Sequence, residues 1–126
     1  MYIYIEHLCK CKLFMISKDL VAASAKPLVL SLLLYKESYG YEIIQNVRKL
    51  SNGSMEWTDG MLYPILHRLE TQELIESEWK ISAEGRKRKY YRINKQGKKA
   101  LAEEQKIWKQ VNSTLNQIWE DKLCLT

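Results

Sequence analysis

The strongest constraint on this chain of 126 residues sits near its C-terminal end. Leu101, Trp108, Leu115 and Lys122 recur every seven positions, and Val111 and Ile118 continue an offset register that begins at Glu104. Large side chains at alternating three- and four-residue spacing form the seam of a helix that packs lengthwise on another helix. Asn94 is a suitable N-cap, and the pattern runs to about Leu123. At ~1.5 Å per residue such a helix extends for about 43 Å, more than a single domain this small can cover. The expectation is a homodimer with Leu101, Trp108, Val111, Leu115, Ile118 and Trp119 at its interface.

Upstream, residues 1–18 carry little pattern and read as a poorly fixed leader. Asp19 to Tyr35 is helical by period: Leu28, Leu32 and Tyr35 share a face that Leu30, Leu33 and Leu34 widen. Pro27 means that this helix is kinked or begins near Ser24. Ser38 resembles the N-cap of a second helix, Tyr39 to Leu50, which buries Tyr41 or Ile44 with Val47 and Ile43 with Leu50. Ser51-Asn52-Gly53-Ser54 ends it, and Met55 to Trp57 fits one short strand.

A third helix opens at Thr58-Asp59-Gly60 and runs to about Glu73, with Leu62, Ile65, Leu66 and Leu69 as its core stripe. Pro64 requires the start to lie close to Asp59 or Gly60. Leu74 to Ile81 and Arg88 to Ile93 alternate as strands around a turn at Ala83-Glu84-Gly85, which makes a hairpin. This order is the winged helix-turn-helix arrangement: mainly α, with a small β-hairpin, over residues 19–94, followed by a dimerisation helix over 95–126.

Charge points to the partner. The excess over the whole chain is +5. Between Lys80 and Lys99 stand Lys80, Arg86, Lys87, Arg88, Lys89, Arg92, Lys95, Lys98 and Lys99, opposed only by Glu84. Nine against one exceeds the excess of the entire chain, so the remainder is slightly acidic. Basic runs are often only solvated surface, but one placed at a hairpin tip beside a helix pair suits contact with DNA phosphates. In the third helix, Met61, Tyr63, His67 and Arg68 face outward, as a major-groove reading helix requires. For Arg68 the sequence leaves open a base edge or a partnership with Glu70 or Gln72. The candidate contacts to double-stranded DNA are Tyr39, Thr58, Met61, Tyr63, His67, Arg68, Arg86, Lys87, Arg88 and Lys89.

Other function classes find less support. Two histidines, His7 and His67, in unrelated segments build no convincing catalytic triad, and no glycine-rich phosphate loop is present. No enzymatic activity and no cofactor are expected. Cys9, Cys11 and Cys124 are odd in number, and the N-terminal residues lack the order of a secretory signal, which points to the reducing cytoplasm. No apolar stretch is long enough to cross a bilayer. A metal-sensing repressor using Cys9 and Cys11 with His7 and Cys124 is one alternative, although His-x-Cys-x-Cys is not a standard zinc spacing. A winged helix that binds protein is another, and the charge of the wing argues against it.

Taken together the chain resembles the PadR family of transcriptional regulators. The carriers are Ser38-Tyr39-Gly40-Tyr41-Glu42-Ile43, the run from Gly60 to Glu70, Leu74-Ile75-Glu76-Ser77-Glu78-Trp79, Gly85-Arg86-Lys87-Arg88-Lys89-Tyr90-Tyr91, Asn94-Lys95-Gln96-Gly97 and Trp108. The resemblance spans about residues 19–120 and places the chain in the small subgroup with a single C-terminal helix. Two positions depart from the family's pattern: Glu73 stands where glycine is usual, so the third helix is expected to close without a left-handed glycine, and Asn94 stands where threonine is frequent. Met15 to Ser24 is similar to the start of relatives, which makes Met15 a candidate initiator. The resemblance implies a homodimeric repressor on a palindromic operator, released by an effector. It also implies that Trp108 stacks on a planar aromatic ligand between subunits, against the simpler reading that Trp108 packs in the seam.

Overall fold

A computed structural model describes residues 15–120. Helix α1 (Lys18–Tyr35) starts where the Ser17 hydroxyl accepts the Leu20 N–H at 3.3 Å, and it runs unbroken through Pro27. The start near Ser24 is therefore not adopted. Ordered packing also begins earlier than expected: Ile16 lies against the core and donates its N–H to the Ser54 carbonyl at 3.1 Å. The earlier residues, with Cys9 and Cys11, fall outside the described ones, as do Lys122, Leu123 and Cys124.

The buried face of α1 keeps Leu30 and Leu33 of the predicted set, with Leu28 and Leu32 partly buried against the core, but Leu34 is exposed. Val21, Ala25, Val29 and Leu33 form a stripe at four-residue spacing, joined by Leu30, while Tyr35 is almost fully exposed.

Strand β1 (Ser38–Tyr39) precedes helix α2 (Gly40–Leu50). Ser38 is thus no N-cap: it pairs with Tyr91, is buried, and donates its hydroxyl to the Lys36 carbonyl, and Tyr39 takes the cap position. Helix α2 buries Ile43 and Val47 and leaves Tyr41 and Leu50 exposed. Met55 to Trp57 forms no strand, and Trp57 instead drops into the core. Helix α3 (Asp59–Thr71) buries Leu62, Leu66 and Leu69, with Ile65 partly covered. Strands β2 (Ile75–Ile81) and β3 (Lys87–Ile93) form the expected hairpin, and β1 adds to it in the order β1-β3-β2, all antiparallel. Helix α4 (Lys95–Glu120) packs its first turns on α1.

One joint sets the directions of α3, the hairpin and α4. Helix α3 closes with the Leu74 N–H on the Leu69 carbonyl and the Glu73 N–H on that of Glu70, both 3.0 Å. That double closure requires a left-handed residue at Glu73, whose φ is +62°. The helix closes without a left-handed glycine, as expected, because glutamate itself adopts the conformation glycine usually supplies. Beside it, Asn94 accepts the Gly97 N–H at 2.8 Å and so caps α4. A Cβ on Gly97 would collide with the Leu74 carbonyl oxygen and the Ile93 side chain, so only glycine lets α4 start this close to the hairpin.

A left-handed L-residue costs roughly 1–2 kcal/mol, and glycine returns part of that gain as backbone entropy. Glu73→Gly should therefore stabilise the fold by about 0.5–1 kcal/mol. The measurement is a rise in urea midpoint at unchanged slope. A falling midpoint would mean that the Glu73 side chain contributes more than the strain costs.

Candidate nucleic-acid interface

The hairpin has two faces, separated by the two-residue alternation of strands. Ile75, Ser77, Tyr91 and Ile93 share one face, which closes the core against α3: the Ser77 hydroxyl donates to Glu70, and burial followed by the Glu70 charge raises the pKa of the Tyr91 phenol. Beyond the core the same face continues as Trp79, Ile81, Lys87 and Lys89, cross-strand partners Trp79 with Lys89 and Ile81 with Lys87. The turn is held by the Ser82 N–H on the Arg86 carbonyl at 2.7 Å and the Gly85 N–H on that of Ser82 at 2.9 Å.

The opposite face spends much of the hairpin's charge internally. Arg92 donates to Glu76 at 3.0 Å and Glu78 at 3.1 Å, and Lys80 pairs with Glu37. Arg88 stacks its guanidinium 4.2 Å from the Tyr39 ring centre and lies 3.6 Å from Glu84, while Tyr39 meets Tyr90 edge to face at 5.4 Å. The linear count of nine against one is thereby corrected, because folding brings Glu37, Glu76 and Glu78 alongside. At the tip, Arg86, Lys87 and Lys89 have no carboxylate within 4 Å among the described residues. Lys87 and Lys89 each lie 5.6 Å from a ring centre, those of Trp79 and Tyr91.

Helix α3 runs beside this tip. A Cβ on Gly40 would lie 2.9 Å from Tyr63 Cζ, so the glycine at the start of α2 is the seat of the Tyr63 ring. Tyr63 remains partly exposed, and His67 and Arg68 are exposed, with no ion pair at Arg68 among the described residues. Of the two readings of Arg68, the partnership with Glu70 is not formed. Met61 is partly buried against the core rather than fully outward. Tyr39 and Thr58 begin α2 and α3 without a side-chain capping bond, so the first amides of both helices keep their hydrogen-bonding capacity. Tyr39, Tyr41, Tyr63, Trp79, Tyr91 and the run Arg86 to Lys89 enclose one open groove of about 760 Å³. A second concavity, about 830 Å³, mixes Glu70, Glu73 and Glu76 with Arg92 and Lys95 and so lacks the uniform positive charge of the groove.

Along α4, Leu101 is only 3% exposed and belongs to the chain's own core, which removes it from the expected seam. Trp108 is half-buried; Val111, Leu115, Ile118 and Trp119 are exposed. Sequence reasoning missed Ile107, 54% exposed, although its spacing of four from Val111 was the available signal.

The chain matches the Transcriptional regulator PadR-like family over residues 29–103. It belongs to the PadR family. A protein of Lysinibacillus sphaericus called "Uncharacterized protein X" is 36% identical over 106 residues, 84% of this chain and 97% of the relative. A PadR-like transcriptional regulator of Bacillus cereus superposes with a TM-score of 0.73 at 31% identity, covering 81% of this chain and 97% of that one. A transcriptional regulator of Clostridium thermocellum gives 0.74 at 30%, covering 81% and 96%. The PadR assignment makes the chain a DNA-binding transcriptional regulator with a winged-helix fold. The family and its solved neighbours are named as regulators, not enzymes. No described helix is long and apolar enough to cross a membrane.

The wing's lysines and Arg88 should separate experimentally. Each phosphate contact contributes about 0.9 to the slope of log affinity against log salt. Lys87→Ala with Lys89→Ala should flatten that slope by about 1.8 and leave the melting temperature nearly unchanged. Arg88→Ala should move the slope far less and lower the melting temperature, because its stacking on Tyr39 is lost. A slope change for Arg88→Ala matching that of one lysine would return Arg88 to the phosphate contacts.

Proposed function

We propose that this PadR regulator is a cytoplasmic homodimeric repressor that reads a palindromic operator with two α3 helices and is released by an effector. The observation that carries the reading is the division of α4. Its first turns are used up on the chain's own core at Leu101, and beyond them Ile107, Val111, Leu115 and Ile118 stay uncovered. An apolar stripe left in water costs about 25 cal/mol per Å² relative to burial, which favours a second copy on the same stripe. Two copies present two reading helices and two wings, and a palindrome is the DNA arrangement that matches them. Tyr63, His67 and Arg68 supply base-edge contacts in this reading, with Thr58 and Tyr39 on phosphates.

Val111→Glu with Leu115→Glu places carboxylates in the seam, where each lacks a partner. Sedimentation should find monomers or aggregates, and binding to duplexes recovered from the host genome should fall sharply. A folded double variant that remains dimeric would place the interface elsewhere.

Effector release rests on Trp108. It is half-buried on the seam side of α4, where two copies across an axis would sandwich a flat cation by stacking and cation–π attraction. Titration with planar cationic dyes should quench indole fluorescence, release bound duplex, and lose both effects in Trp108→Ala. If instead wild-type protein binds no dye and Trp108→Ala only weakens the dimer, Trp108 is a packing residue.

A further inference from the structure

The tip of the wing is not only basic. Trp79 is 59% exposed and Ile81 75% exposed, on the hairpin face shared with Lys87 and Lys89. A solvated tip has no use for an indole and an isoleucine, since water charges for both. Nothing in the fold covers them among the described residues. The indole also lines the same groove as Tyr63, so it lies on the side from which α3 meets DNA. Lysines flank it across the strand pair, with Lys87 5.6 Å from its ring centre.

We infer that Trp79 and Ile81 pack against the deoxyribose walls of the minor groove next to the major-groove site of α3, as a salt-independent, specificity-determining contact of the wing. This rests on the DNA-binding reading of the groove. A hairpin projecting beside a helix seated in the major groove reaches over one phosphate backbone, and the minor groove lies on the far side. Lys87 and Lys89 on β3 then meet phosphates, while the apolar pair opposite them on β2 meets sugar. The charges of the tip choose DNA over an apolar protein partner, which would have to bury those ammonium groups unpaired. Apolar side chains at a minor groove are sensitive to its width and floor, where guanine carries an amino group that adenine lacks. The pair therefore favours A·T-rich sequence at the wing positions without hydrogen-bonding any base.

The test uses the full-length protein and a 30-base-pair duplex selected from a random pool for tightest binding. Trp79→Ser and Ile81→Ser, each checked for folding by circular dichroism, should weaken binding about five- to tenfold with an unchanged salt slope; lost phosphate contacts would change that slope. Trp79→Phe should restore most of the loss. Replacing guanine by inosine at the wing positions deletes the minor-groove amino group and leaves the major-groove edge intact. Wild type should bind that duplex several-fold tighter, and Trp79→Ser should not distinguish the two duplexes. Wild-type affinity in both serine variants overturns the inference and leaves the DNA-binding reading standing. Weakened binding without any inosine effect in wild type overturns the minor-groove placement, and a loss of dimer mass in Trp79→Ser would move the indole to a subunit contact and overturn it too. Failure of the wild-type protein to select any duplex would instead refute the DNA-binding reading itself.

Discussion

The start of α4 against the corner between α3 and β2 is the contact on which the other parts depend. The Asn94 N–H reaches the Leu74 carbonyl at 3.2 Å, and Gly97 lies against that carbonyl with no room for a side chain. Leu74 is also the residue that closes α3 through its N–H on Leu69. A single residue, Leu74, therefore ends α3 with its N–H and receives α4 with its carbonyl. Neither α3 nor α4 can turn independently there without leaving a backbone group unpaired, which costs roughly 1–3 kcal/mol when buried. Close packing makes such a joint stiff rather than gradually deformable. In the proposed dimer, an angle set between two copies along α4 would be carried to the spacing of the two α3 helices.

On the hairpin, the division of labour follows from strand geometry. Residues at even positions of β2 face one way and those at odd positions the other, so Glu76, Glu78 and Lys80 meet Arg92, Tyr90 and Arg88 while Trp79 and Ile81 meet Lys89 and Lys87. The carboxylates fall on the face away from α3, where they hold Arg92, and the face toward α3 carries positive charge alone beyond Ser77. A surface ion pair of this kind contributes little to stability, about 0–1 kcal/mol. Its consequence is electrostatic direction: the tip keeps its field on the side of the groove.

Much of this was legible in the sequence. The helix-turn-helix, the hairpin and the long helix are recoverable from period and turn residues, because those patterns are local. The failures share a cause, which is that burial is decided by partners far along the chain. Leucine density in α1 pointed to Leu28, Leu32 and Tyr35, but Leu28 and Leu32 are only partly buried, Tyr35 is exposed, and the fully buried stripe runs through Val21, Ala25 and Val29. Ser38 looked like a cap because serine caps helices, yet the strand β3 needs an edge partner and takes it. Leu101 fits the heptad and was spent on the domain instead; the heptad cannot show where a helix leaves its own core. The ion pairs of Arg92 and Lys80 were invisible for the same reason. Among the described residues the buried Trp57 indole N–H has no hydrogen-bond partner, which no sequence pattern foreshadowed.

The two departures from the family's pattern, Glu73 and Asn94, are in contact and make sense as a pair. Asn94 accepts the Gly97 N–H with its side-chain oxygen and donates its Nδ2 to the Glu73 carbonyl at 2.7 Å. An amide has an acceptor and two donors on separate atoms, so it performs both tasks at full strength. A threonine hydroxyl has one oxygen, and its single hydrogen would have to point at Glu73 while the same atom caps the helix. The extra bond falls on the residue held in the left-handed conformation, with φ of +62°. A hydrogen bond of this kind is worth about 0.5–1.5 kcal/mol, close to the roughly 1–2 kcal/mol that a left-handed side-chain-bearing residue costs. Asparagine at the cap thus offsets glutamate at the helix exit, and the joint at Leu74 keeps its geometry without the glycine.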